Sequence, residues 1–112
     1  MDLTFASFAL ACQCNRKSDC VAVHGSERAS VLMRRLLQMN AVANLEDLLG
    51  MPCGFVGPEG PKAILCAADL DVGYRLVFEP HCNPIPRMST GRLDVRRVVK
   101  VRILRLEKCH GT

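Results

Sequence analysis

Apolar residues recur at helical spacing along the first half of the chain and alternate with polar ones along the second. Leu3 to Ala6 predicts a short first strand. Ser7 offers an N-cap for a helix over about 8–20, with Phe8, Leu10, Ala11 and Cys14 at helical spacing. His24-Gly25 ends it, and Ser26 is expected to cap a second helix. Ala29, Leu32, Met33, Leu36 and Leu37 form the predicted buried stripe of that helix, with Arg28, Arg34 and Arg35 mostly off it. Asn44 caps one further turn, Glu46 and Asp47 favour its N-terminal dipole, and Gly50 followed by Pro52 ends it.

From residue 53 the vocabulary changes. Gly54, Gly57, Pro58, Gly60 and Pro61 mark a loop, Ala63 to Leu70 reads as a strand, and Asp71-Val72-Gly73 as a turn. Tyr74 to Glu79 alternates cleanly, with Tyr74, Leu76 and Phe78 on one face and Arg75, Val77 and Glu79 on the other. Pro80, Pro84 and Pro86 hold an extended connection, and Gly91 allows another turn. Val98 to Leu106 is the last predicted strand, with Val99, Val101 and Ile103 facing one way and Lys100 and Arg102 the other. The expected architecture is α+β: two N-terminal helices packed on one face of a small, mainly antiparallel sheet, in a single domain over 1–112. The second sheet face is left to Arg75, Lys100 and Arg102.

Composition sharpens this picture. Apolar residues make up 49% of the 112, enough for a packed core and against wholesale disorder. No apolar run approaches the roughly 20 residues of a membrane helix. The net charge of +4 is unevenly placed: residues 1–56 hold five basic and five acidic side chains, residues 57–112 ten and six. A basic second half suggests an anionic partner, nucleic acid or an acidic protein segment; the structural alternative is a solvated basic strand face.

The seven cysteines, at 12, 14, 20, 53, 66, 82 and 109, are odd in number and irregularly spaced, which argues against a disulfide framework. Phe5 to Cys12 resembles a lipoprotein cleavage site only weakly, since no basic residue precedes it; a cytosolic, reduced protein is expected. Cys12 with Cys14, His81 with Cys82 and Cys109 with His110 lack the two-group ligand spacing of structural zinc sites, so buried, inert thiols are expected instead.

One set of motifs is more specific. Gly73-Tyr74-Arg75-Leu76-Val77-Phe78-Glu79-Pro80, Asn83-Pro84-Ile85-Pro86, Gly91-Arg92-Leu93-Asp94, Val101-Arg102-Ile103-Leu104 and a late His110 resemble the RelE/HigB family of toxins. They are most similar to its branch of plasmid-maintenance killer proteins. His24-Gly25, Arg34-Arg35-Leu36 and Asn44-Leu45 fall where that branch has a Tyr-Gly, an Arg-Leu helix and an Asn-Leu turn, so the resemblance spans about residues 3–110.

The resemblance implies a type II toxin: an mRNA endoribonuclease, ribosome-dependent or free, neutralised by a cognate helix-turn-helix antitoxin. Such cleavage uses the substrate's own 2′-hydroxyl as nucleophile and needs no metal or cofactor. A base removes the 2′ proton, cations hold the charge on phosphorus and an acid protonates the leaving 5′ oxygen. Arg75 is the expected phosphate clamp, with an ion pair to Glu79 or Asp71 as the structural alternative. His110 is the expected acid or base, and Lys62 a further catalytic cation. Arg102, Lys108 and Lys100 are expected RNA contacts, while Arg87, Arg92, Arg96 and Arg97 look too dispersed for one pocket.

The chain departs from the family in carrying Cys109 where many relatives have tyrosine, and no basic residue in Ala63 to Leu70. Other readings of the same chain are a non-catalytic binding protein of this fold, as an antitoxin partner or a gyrase-type inhibitor, and a sequence-independent nucleic-acid binder.

Overall fold

The computed structural model describes residues 1–52, 54–71 and 73–109. The chain runs β1 (Asp2–Phe5), α1 (Phe8–Asn15), α2 (Lys17–His24), α3 (Ser26–Ala41), α4 (Leu45–Leu49), β2 (Phe55–Val56), β3 (Cys66–Asp69), β4 (Tyr74–Pro80) and β5 (Lys100–Lys108), with a 3₁₀ turn at Val95–Arg97 before the last strand. The five strands form one mixed sheet in the order β1-β5-β4-β3-β2. Only the β1–β5 pair is parallel; the other three pairs are antiparallel. The α+β class holds, with four helices where two and a turn were expected.

The core lies between the helices and one sheet face. Leu32, Leu36 and Met39 of α3 and Leu45 and Leu48 of α4 are buried with Ala68, Leu76, Phe78, Val101 and Ile103 of the sheet. Two caps behave as the sequence reads: Ser7 Oγ accepts from Leu10 N, and Asn44 Oδ1 from Asp47 N. Ser26 does not cap α3; Gly25, at φ +83°, holds that position without a side-chain bond and Ser26 is the first helical residue.

The helix expected over 8–20 is broken. Arg16 is extended (φ −125°, ψ 116°), and its N–H closes α1 on the Cys12 carbonyl. The polar Asn15-Arg16-Lys17-Ser18 stretch stays in solvent there, while α2 is re-aimed to bury Cys20. Leu37, expected on the stripe of α3, is 69% exposed; Met39 takes its place, because the stripe runs Ala29, Leu32, Leu36, Met39. Strand β2 falls inside the expected loop, where two residues pair with Ala67 and Ala68. Val99 is exposed and Val98 buried, since β5 begins only at Lys100, after the 3₁₀ turn.

Among the described residues the sheet's second face carries no helix, and a bulge in β5 shapes it. Val77 pairs with Arg105 but the next residue, Phe78, pairs with Ile103, so Leu104 is extra. Without that bulge, strict alternation from Val101 would turn Arg105 and Glu107 toward the helices. With it, they stand beside Val77 and Arg75 on the open face. Among the described residues no helix is long and apolar enough to cross a membrane.

Candidate functional site

The open face holds a groove of about 310 Å³ at one end. Its floor is β4 and β5 and its wall is the segment from Val56 to Ala67; Arg75, Val77, Arg105, Glu107, Cys109, Glu59 and Asp69 contribute to the lining. Arg75 stands mid-face because its strand alternates and Phe78 and Leu76 anchor the opposite side in the core.

Arg75 does not pair with Glu79 or Asp71. Its Nε donates to Glu107 Oε2 at 2.7 Å, across the β4–β5 ladder. Arg105 Nε donates to the other oxygen, Glu107 Oε1, at 2.9 Å. One carboxylate therefore bridges two guanidinium groups. The bond from Arg75, then that from Arg105, holds the Glu107 carboxyl below its ordinary value. The same bond raises Arg75, with the charges of Cys109 and Glu59 adding to it. Asp71 instead takes Arg28, at 2.7 Å, and Glu79 takes Arg102, at 2.7 Å.

Of the other expected site residues, Lys62 is exposed and does not line the groove, although its chain neighbour Ala63 does. Lys108 pairs with Tyr74 and so stands on the helix-facing side of the sheet, away from Arg75. The alternation read from Val101 would have put Lys108 on the open face, and the bulge moves it. Lys100 and Arg102 share the open face but lie at its opposite end, Arg102 facing Glu79, four residues or about 13 Å along β4 from Arg75. His110 lies outside the described residues. Arg105 and Glu107 were not singled out from the sequence. Their only signal is the register of β5 against β4, which the bulge conceals.

Tyr74 is partly buried under Arg28, whose guanidinium lies 3.5 Å from the ring centroid, tying α3 to the β3–β4 turn. Cys14 and Cys66 are buried thiols, both pushed up to about 12 by burial, with Cys20 adding to the rise at Cys14. They are not nucleophiles at neutral pH. Among the described residues no three His, Cys, Asp or Glu side chains cluster closely enough to hold a metal ion.

Comparison of the chain with protein-family models, curated proteins and solved structures gives no match.

Proposed function

We propose that the chain is the toxin of a type II toxin–antitoxin module: a metal-independent mRNA endoribonuclease of the RelE/HigB kind, acting on translating ribosomes in the cytoplasm. Its activity is restrained by a cognate helix-turn-helix antitoxin. The observation that carries the reading is the Arg75–Glu107–Arg105 arrangement on the floor of a groove in the open sheet face. Arg75 belongs to the Tyr-Arg-Leu-Val-Phe-Glu-Pro string on which the resemblance rests.

A phosphodiester presents two acceptor oxygens in the same plane as a carboxylate, so it can take the place of Glu107 on the arginine forks. The exchange has a chemical consequence. While bridged, Glu107 is a weak base; once the phosphate holds Arg75 and Arg105, its carboxylate is released beside the 2′-hydroxyl and gains basicity. Glu107 takes the 2′ proton, the 2′ oxygen bonds to phosphorus, and the 5′ oxygen leaves with a proton from the acid. That product pair is a 2′,3′-cyclic phosphate and a 5′-hydroxyl. The arginines stabilise the charge that builds on the phosphoryl oxygens. His110 is the acid that the resemblance suggests, and Lys62, whose chain neighbour Ala63 lines the groove, steers the backbone inward.

A second reading, a non-catalytic binding protein of the same fold, draws on the charge of the groove. Arg75 and Arg105 are outnumbered there by Glu59, Asp69 and Glu107, and both are already paired. Induced expression in a bacterial host separates the two. The nuclease reading expects growth arrest with fragmented mRNA, relieved in the soluble double variant Arg75→Ala with His110→Ala. A double variant as toxic as the parent would remove this site from the account.

A further inference from the structure

The far end of the open face carries a second cluster that the groove does not use. Across β4, β5 and β1 the register sets two rows side by side: Glu79, Arg102 and Thr4, then His81, Lys100 and Asp2. The second row is closed by His81 N donating to the Lys100 carbonyl at 2.9 Å.

His81 is held in one orientation. Thr4 Oγ1 lies 3.2 Å from the Val101 carbonyl, to which it can only donate, and 2.8 Å from His81 Nδ1. A hydroxyl has one proton, so the imidazole must donate from Nδ1. Nε2 is left as the free ring nitrogen of an exposed side chain, an acceptor in the neutral ring and a donor to phosphate only in the imidazolium form. Arg102 gives Nη2 to Glu79, while its Nε is buried without a hydrogen-bond partner and 43% of its side chain remains exposed. Lys100 forms no ion pair among the described residues, although Asp2 stands opposite it on β1. Glu79 is held by Arg102, so among the described residues the cluster's spare charges are the Lys100 ammonium and the Asp2 carboxylate, with the His81 ring beside them.

We infer that His81, Lys100 and Arg102 form a second phosphate subsite, which grips the backbone of a single-stranded RNA whose scissile bond lies in the groove. The inference rests on the nuclease reading for its substrate. The two share one side of the sheet: Arg105, in the groove, is exposed on the same face of β5 as Arg102, with the buried Val77 paired beside it. The strand would thus be held at two points, about 13 Å apart along β4, with chemistry at one only. An RNA backbone supplies repeated acceptors at such intervals.

The test is fluorescence anisotropy with a labelled 2′-O-methyl RNA oligonucleotide, which has no 2′-hydroxyl to attack, across about 50 to 200 mM salt. Lys100→Ala is expected to weaken binding on the order of fivefold near 0.1 M salt and to lower the salt slope by about 0.7, and His81→Ala to weaken it by a similar factor in acid, where the ring is protonated. Lys17→Ala, an exposed lysine on α2, should change neither. If all three variants behave alike, the subsite is wrong. It is equally wrong if a polyglutamate chain displaces the RNA at equal charge and depends on Lys100 in the same way, for then the surface serves an acidic protein. Cleavage that proceeds while RNA binding ignores Lys100 and His81 overturns the subsite alone. RNA binding that depends on them, with no cleavage, overturns the nuclease reading alone.

Discussion

The two ends of the open sheet face use the same residue types to opposite effect. At the groove end, Arg75 and Arg105 share Glu107, so both cations are committed to one carboxylate. At the far end, one arginine holds one glutamate, Thr4 holds His81 Nδ1, and Lys100 has no ion-pair partner among the described residues. A phosphate arriving at the groove must displace a carboxylate. A phosphate arriving at the far end can take Lys100 without breaking an ion pair among the described residues. The first situation suits chemistry, because binding changes the state of a reactive group; the second suits grip. Net charge alone does not separate them. Folding decides which cations stay available, and here the register of β5 decides it.

The largest effect should come from removing the platform common to both ends. Phe78 is fully buried at the bulge, between Arg75 and Glu79. Phe78→Ala should cost about 3–5 kcal/mol in urea unfolding and abolish both activities. A loss below about 1 kcal/mol would mean that the ends do not depend on a shared core.

Next in size is the groove. Arg75→Ala or Glu107→Gln should slow cleavage by about 10²–10⁴-fold, measured as a single-turnover rate. Unfolding free energy should change by no more than about 1 kcal/mol, since these pairs are partly exposed. Cleavage unaffected by Glu107→Gln would return that carboxylate to a purely structural role.

Acid should distinguish the groove from the helical layer. Glu107 is depressed in the folded state, so its stabilising effect is complete above its ordinary value of 4.5 and is lost as pH falls through the lower folded value. The stability gap between wild type and Glu107→Gln should therefore be flat from neutral pH down to about 5 and close below that. His24 lies between α2 and α1, its Nε2 at 3.0 Å from Gln13 Oε1, and is held below 6.5 by burial and then by Arg28. The unfolded chain takes up that proton first, so stability should decline as pH drops below 6.5, and His24→Gln should remove that slope.

The smallest effect concerns the far end. Thr4→Val keeps the strand but releases His81, and RNA binding in acid should weaken by less than the fivefold order expected for losing the imidazole itself. A loss as large as that of His81→Ala would show that orientation, rather than the donor, accounts for the whole contribution.

Much of this arrangement was legible in the sequence, and the missing parts share a cause. Strand β4 stands out because Tyr74 to Glu79 alternates, and the caps Ser7 and Asn44 announce themselves through local side-chain bonds. Local signals failed where two segments had to be compared. The break at Arg16 lies in a polar stretch that helical spacing runs straight through, and β2 is too short to read except against β3. Arg75 was legible as a functional candidate, but its partner Glu107 was not, because 32 residues separate them and the extra Leu104 shifts the faces of β5. The same bulge takes Lys108 away from the groove and brings in Arg105.

The central claim is that the groove cuts mRNA. Primer extension in a translation extract containing ribosomes, a defined mRNA and the purified chain tests it most directly. The account predicts discrete breaks with 5′-hydroxyl ends on the downstream fragments, absent with Arg75→Ala. An intact message in every ribosome state, with a protein that is folded and binds RNA, would contradict it.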